Sequence, residues 1–474
     1  MKKILLGLLC LPSLLSAKVT LPAIFNNGMV LQQNTQVKIW GKADSKDVVK
    51  IQPSWSEQVF TAQPDDEGKW SIRIQTQKAD FKPYSMTITH NGQTLSFNDI
   101  LFGEVWLCSG QSNMEMKMRG WYRSPITNGR EAIANSRNEY IRLFNVEKSL
   151  SVKEKDYCTG VWKKAEPRTI SYTSATAYFF GRQLFRTLNV PVALVTSHWG
   201  SAAICAFMSE KSLSAFPDYV EKIKKLDPKK MNVFAPTGIF NGMIKPIEGY
   251  SLKGVIWYQG ETDRKIPDTY RKLFKSMIND WRERWEIADL PIVFAQVAPF
   301  DYPNEVGNSA YIREAQLYCQ KENKHAYMVS LTDLGEEHNI HPSAKEPVGL
   351  RMALRALDKV YKVEGLCTDE PMYKSMEIKG NKVLLSFENA DNGFSTHGKE
   401  LKSFTVAGSD KVFYPAVAIV KNSKIEVYSK EVSHPVAVRY AFTEFDEGLL
   451  MNIEGCCASS FRTDNWKEEE CTFK

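Results

Sequence analysis

No block of lysines or arginines occurs in this chain, and that absence removes nucleic acid from its expected partners. The formal net charge is only +6, and it falls to +4 without Lys2 and Lys3 of the first segment. The nine cysteines include no C-x-x-C pair, and no H-E-x-x-H segment is present. No zinc site or other metal centre is therefore expected. A glycine-rich phosphate loop is also missing, so no nucleotide or other cofactor is expected. The pentapeptide G-x-S-x-G is absent, which argues against an α/β-hydrolase. Beyond residue 17 no apolar run is long enough to cross a bilayer. No internal repeat or low-complexity linker breaks the chain.

Residues 1–17 carry the pattern of a secretory signal. Lys2-Lys3 give the charged start, Ile4 to Leu15 the apolar stretch, and Ser16-Ala17 a small-residue cleavage site. A periplasmic or secreted protein with no membrane span after cleavage is the expectation. Export permits disulfides among the eight remaining cysteines, with the pairing open. Cys108 and Cys205 lie in apolar surroundings and read as buried thiols.

At 474 residues, with 43% hydrophobic and 24% charged residues, the chain can build more than one domain around a large core. Residues 18–98 alternate apolar and polar side chains in short runs, such as Val37–Trp40, Trp70–Ile74 and Ser85–Thr89. Turn signals at Asn26-Asn27-Gly28 and Asn91-Gly92 separate the runs. The pattern predicts an N-terminal β-sandwich-like domain. From 99 to 366, short apolar runs alternate with helical stretches. The runs are Val105–Cys108, Val192–Val195, Gly254–Tyr258, Ile292–Ala295 and Tyr327–Leu331. The helical stretches are Ala175–Leu188, Tyr270–Trp285 and Pro347–Lys359. This predicts an α/β domain with a parallel sheet covered on both faces. Residues 367–474 return to alternation, as in Lys382–Phe387 and Val436–Tyr440, and predict a C-terminal β-rich region.

Ligands of open α/β sheets bind beyond the carboxyl ends of the strands. Four strand exits here carry residues of catalytic type. They are Ser109-Gly110-Gln111-Ser112-Asn113, Thr196-Ser197-His198-Trp199-Gly200-Ser201, Gln259-Gly260-Glu261-Thr262-Asp263, and the segment from Thr332-Asp333 to His341. Acyl transfer needs a nucleophile, a base and donors for an oxyanion. Ser112 follows a buried strand on a glycine turn and is the nucleophile candidate; its plain alternative is a helix-capping serine. His341 is the base candidate, ahead of His338 and His198. The Gly200 N–H and the Gln259 amide are oxyanion candidates, although Gly200 alone also reads as a turn glycine. Glu261 and Asp263 could form a carboxylate pair for glycoside hydrolysis, but Glu261 fits better as a group orienting its loop.

Several of these segments carry a resemblance. They are Gly103–Met114, Ala177–Gly181, Asn241–Pro246, Gly254–Glu261, Arg313–Gln316, Asp333–Gly335, Ile340–Pro342 and Ser460–Asp464. With them the chain resembles the sialate O-acetylesterase family, a branch of the SGNH (GDSL-like) hydrolases related to carbohydrate esterase family 6. The resemblance runs from about Leu21 to Trp466. It implies a flavodoxin-like core flanked by β-modules. The implied activity is that of a metal-free serine esterase acting on O-acetylated sialic acid or sialoglycan. It matches Ser112 to the nucleophile, His341 to the base, and Gly200 and Gln259 to the oxyanion positions. Two departures stand out. Trp199-Gly200-Ser201-Ala202 replaces the usual Trp-Gly-Gly-Thr, and no acid directly precedes His341. Asp333, Glu336 or Glu337 could supply that acid, or the site is a Ser–His dyad. Arg119, Arg123 and Arg351 are candidates to hold a sugar carboxylate. An acetylxylan or other carbohydrate O-acetylesterase is the alternative enzyme. A non-catalytic carbohydrate-binding protein, given the β-rich ends and 11 tryptophans, is the non-enzymatic one.

Overall fold

The computed structural model describes residues 18–303 and 308–474. Residues 1–17, where a secretory signal is expected, and Cys10 among them, lie outside the described residues. The amino-terminal part opens with a three-stranded sheet of Val19–Thr20, Gln36–Ala43 and Lys69–Gln75. Its alternating burial follows the alternating sequence, as in Gln36–Ala43, where Val37, Ile39, Gly41 and Ala43 point inward. A second antiparallel set, Val49–Pro53, Phe60–Ala62 and Tyr84–His90, leads into β1 (Gln93–Gly110).

Strand β1 is 18 residues long and belongs to two environments. Its first half pairs antiparallel with Tyr84–His90, and its second half lies in the middle of a parallel sheet. The other strands of that sheet are β2 (Asn138–Asn145), β3 (Val192–His198), β4 (Gly254–Tyr258), β5 (Ile292–Ala295) and β6 (Ala326–Val329). Their spatial order is β2-β3-β1-β4-β5-β6, all parallel, with Trp162–Ala165 antiparallel on the outer side of β2. The chain passes from β1 to the outer β2, comes back to β3 beside β1, and then crosses to the other side of β1 at β4. The carboxyl ends of β1 and β4 therefore flank the point where strand order reverses, a favoured ligand position in such sheets.

Both faces of the sheet are covered, which is why its strands read as unbroken apolar runs. Trp106, Cys108, Leu194, Ile256 and Val293 face one side, against α2 (Ala175–Leu188) and, farther along the chain, α5 (Lys345–Lys359). Val105, Leu107, Val195, Trp257 and Phe294 face the other, against α3 (Pro267–Trp285) and α4 (Ala310–Glu322). Ser174 caps α2 by accepting the Ala177 N–H at 3.0 Å, and Asn189 closes it in the left-handed conformation at φ +51°. Pro267 opens α3, where its missing N–H leaves no donor unpaired.

The carboxyl-terminal part forms a four-stranded sheet (Met372–Lys379, Lys382–Glu388, Lys424–Tyr428, Val417–Lys421), a two-stranded pair, and a five-stranded sheet built around Phe404–Ala407 and Ala437–Tyr440. It is stitched to α4 by two neighbouring residues. Arg313 is fully buried and donates to Ser460 Oγ at 3.2 Å and to the Ala441 carbonyl at 3.2 Å. Glu314 accepts both arms of Arg462 at 2.9 Å. No disulfide joins any of the eight described cysteines. Cys108 and Cys205 are buried, as expected of core thiols.

The end of β1 is set by one glycine. Gly110 has φ +139°, and a Cβ there would lie 2.1 Å from the Tyr258 carbonyl oxygen on β4. Only glycine lets the two strand ends approach this closely. Gly110→Ala is expected to destabilise the protein by about 3 kcal/mol or more. Denaturant unfolding measures this, and a change under about 0.5 kcal/mol would contradict the assignment.

Candidate active site

Ser112 is the first residue of α1 (Ser112–Glu115), one step past the β1–β4 contact. The preceding residue is tied down twice: the Gln111 N–H donates to the Tyr258 carbonyl at 2.9 Å, and Gln111 Oε1 accepts from the Gly260 N–H at 3.3 Å. Ser112 is only 8% exposed, yet its hydroxyl bonds to no described residue and is not sealed from solvent. Its backbone N–H, at the start of the helix, also has no acceptor among the described residues. A hydroxyl facing outward beside a free N–H is the arrangement a nucleophile and its oxyanion donor require.

His341 approaches from the loop after β6, and Asn113 makes the link. Its Nδ2 donates to the Ile340 carbonyl at 3.0 Å, so the residue after Ser112 is bonded to the residue before His341. The same Nδ2 donates to Glu261 Oε1 at 2.5 Å, and Asn113 Oδ1 accepts from Lys345 Nζ at 2.7 Å. The His341 ring packs edge-on against Trp121, with centroids 5.1 Å apart. Its backbone N–H donates to Asn339 Oδ1 at 3.1 Å. Glu336 shapes this loop by accepting the Ser343 N–H and hydroxyl, both at 2.6 Å, and Asn339 Nδ2 at 2.7 Å.

None of the expected acids bonds to His341. Asp333 is engaged by both arms of Arg351, at 2.7 and 2.5 Å. Glu336 faces the loop backbone, and Glu337 is exposed beside His338, 3.8 Å away. Glu261 is buried on Asn113, with Oε2 unpartnered. The imidazole therefore lacks the anionic neighbour that would raise its pKa. Burial and, next, the nearby Lys345 cation lower it to about 4. Burial also lowers Lys345 to about 7 and raises the Glu261 carboxyl above its ordinary range.

The two expected oxyanion partners of Ser112 are differently engaged. Gly200 does lie beside it: a Cβ on Gly200 would be 3.7 Å from Ser112 Cβ. However, its N–H donates to Glu115 Oε2 at 2.6 Å. Glu115 in turn pairs with Lys148 at 2.6 Å. Gln259 is fully buried, and both its amide hydrogens are directed inward, to the Ala202 carbonyl at 3.1 Å and to Asp263 Oδ2. Burial raises Asp263 to about 6. Gln259 thus braces the β4 exit rather than presenting its amide beside Ser112. Its own carbonyl accepts Gln316 Nε2 at 3.0 Å, which gives the Arg313–Gln316 segment a second task.

His198 ends β3 next to Gly110 but is buried, with burial lowering it to about 4. His338 is exposed on the loop. Among the described residues no group of three or more His, Cys, Asp or Glu side chains is placed to hold a metal ion. Asn113, Glu115 and Lys345 went unrecognised in the sequence. Lys345 left a signal: it occupies the inward stripe of α5 with Val348, Gly349 and Met352, where a lysine is out of place.

A family model described as "carbohydrate esterase, sialic acid-specific acetylesterase" matches residues 103–358. The structure is similar to that of a carbohydrate acetylesterase from Xanthomonas citri, with a TM-score of 0.85 and 32% identity. That match covers 95% of this chain and all of the other. The sialate O-acetylesterase of Mus musculus is 26% identical over 487 residues, covering 88% of each chain. That of Homo sapiens is 27% identical over 412 residues, covering 76% of this chain and 75% of its own.

A base with a pKa of about 4 stays neutral, and able to accept a proton, well below the ordinary 6.5. As pH falls, ester hydrolysis should persist until it passes through about 4 and be lost only below that. In Lys345→Met the loss of the cation should move this limb upward. The pH dependence of kcat/KM for a chromogenic acetate ester measures both, and a wild-type limb at 6.5 would refute the electrostatic assignment.

Proposed function

Because the chain belongs to the sialic acid-specific acetylesterase family of carbohydrate esterases, we propose that it is a serine esterase that removes O-acetyl groups from sialic acids. The observation that carries this reading is the Asn113 bridge, which holds an unpaired Ser112 hydroxyl next to the His341 loop. In the proposed mechanism neutral His341 takes the proton from Ser112 Oγ as that oxygen attacks the acetyl carbonyl. The Ser112 N–H receives the developing oxyanion, and the Gly200 N–H joins it when the Glu115 carboxylate moves aside. His341 then gives its proton to the departing sugar oxygen, leaving acetyl-Ser112. Water, deprotonated by His341, attacks the acetyl group, releases acetate and restores the serine. The catalytic pair is read as a dyad, supported by the separate engagements of Asp333, Glu336 and Glu337.

The core is read as flavodoxin-like and of the SGNH type. The support is the order β3-β1-β4-β5-β6, which is the 2-1-3-4-5 sequence of that architecture with β2 added outside β3. The chain is divided at 18–98, 99–366 and 367–474. Extracytoplasmic localisation, periplasmic or secreted, is proposed on the pattern of residues 1–17. Among the described residues no helix is long and apolar enough to cross a membrane. The second enzymatic reading, deacetylation of a neutral polysaccharide such as xylan, is favoured by the likeness to the Xanthomonas citri carbohydrate acetylesterase, whose 32% identity exceeds the 26% of the murine sialate O-acetylesterase.

Acetate release from O-acetylated sialic acid and from acetylated xylan separates the two readings. The sialate should be the better substrate by kcat/KM. Ser112→Ala and His341→Ala should each lower turnover by about a thousand-fold or more. Ser112→Ala retaining wild-type turnover would remove the mechanism, and preference for xylan would replace the substrate.

A further inference from the structure

A sialic acid presents a carboxylate, and the arginines expected to meet it are otherwise engaged. Arg351 is locked on Asp333. Arg119 lies over the Tyr172 ring and donates to the Tyr172 hydroxyl at 2.8 Å, while Arg123 lies over Tyr122. Cations are gathered elsewhere on the same rim of the sheet. A cavity of about 520 Å³ opens at the carboxyl ends of β2 and β3. Its size is that of a small-molecule site, about 300–1,000 Å³.

The charged wall of this cavity is Glu115, Lys117, Glu147, Lys148 and Lys163, with His198 at the back. The cavity begins one helical turn from the nucleophile, because Glu115 is the last residue of the helix that Ser112 opens. Lys148 is held by Glu115 and lies over the Trp199 ring at 5.2 Å. Lys117 and Lys163 pair with no carboxylate among the described residues, whereas the lining carboxylate Glu115 is already paired with Lys148. His198 is 9% exposed; its Nδ1 is sealed without a partner, and its Nε2 bonds to no described residue and is not sealed from solvent. Such an atom in a polar cavity is a hydrogen-bonding position awaiting a ligand.

We propose that this cavity is the sugar subsite, in which Lys117 and Lys163 hold the carboxylate of an acidic monosaccharide while its acetyl ester lies at Ser112. The assignment rests on the sialate reading and deepens it by naming the residues that select an acidic sugar over a neutral one. A charge-assisted bond to an ammonium stabilises the carboxylate there. A neutral pentose would leave both lysines unmatched, so the subsite discriminates by charge. His198, uncharged in its buried position, is placed to bond a sugar hydroxyl.

The test compares O-acetylated sialic acid with the methyl ester of its carboxylate, which removes the charge and keeps the sugar. Each kcat/KM is normalised to hydrolysis of a chromogenic acetate ester by the same protein, so that misfolding does not enter the ratio. Wild type should favour the free acid by about ten-fold or more, the usual worth of a hydrogen bond to a charged group. Lys117→Met should reduce that preference, Lys117→Met with Lys163→Met should abolish it, and Lys117→Arg should restore much of it. An active wild type with no preference for the acid, or a double variant that keeps it, overturns the subsite. A wild type that hydrolyses the chromogenic ester and acetylated xylan but neither sialate overturns the sialate reading itself, and the subsite with it.

Discussion

The candidate site depends on one buried amide. Asn113 is 1% exposed and joins four pieces of the chain: the helix that starts at Ser112, the β4 exit through Glu261, the His341 loop through the Ile340 carbonyl, and α5 through Lys345. Inside a protein such a network is stable only when its polar atoms are matched, because an unmatched buried charge is penalised heavily. The requirement works in both directions. Lys345 and Glu261 need the amide between them, and the amide can satisfy both only if the His341 loop sits where its carbonyl can accept. Charge matching inside the core thereby sets where the start of the Ser112 helix and the His341 loop are joined.

The same arrangement explains the character of His341. A histidine supported by a carboxylate has its cationic form favoured, whereas His341 is half-buried, edges onto Trp121 and lies near the Lys345 cation. Burial and the Lys345 cation both favour the neutral ring. The loop acids serve the loop: Glu336 binds Ser343 and Asn339, and Asp333 binds Arg351. Glu336 positions His341 through the loop, by way of Asn339 and Ser343, rather than by touching its ring. The carboxyl-terminal sheets contribute at one remove, since α4 carries Arg313 into them and Gln316 back to the Gln259 carbonyl.

Much of the architecture was legible in the residues. Gly254–Tyr258 and Ile292–Ala295 are strands over the stretches that read as apolar runs, because strands buried on both faces have no polar side to show. Ala175–Leu188 is a helix between the serine cap and the asparagine stop written into its sequence. Helix α5 begins two residues ahead of its apolar pattern, at the lysine that the pattern would exclude. The site was legible in part. Ser112, His341 and Gly200 stand at strand exits or loops that converge, and convergence follows from a parallel sheet. The partners of Gly200 and Gln259 were not legible. Glu115 meets Gly200 across 85 positions, and Gln259 turns inward to an aspartate four residues on. Neither orientation has a periodic trace.

The sequence by itself determined the class of fold, the strand exits and the candidates Ser112 and His341, because periodicity and glycine turns are local and survive in one dimension. Tertiary structure decided which carboxylate faces which donor, that Asp333 and Glu336 bond elsewhere than to the His341 ring, and that Lys117 and Lys163 gather on one cavity wall. Those outcomes depend on distances between segments far apart in the chain. They also depend on the dielectric around each group, which exists only once the sheet and its helices have closed over it.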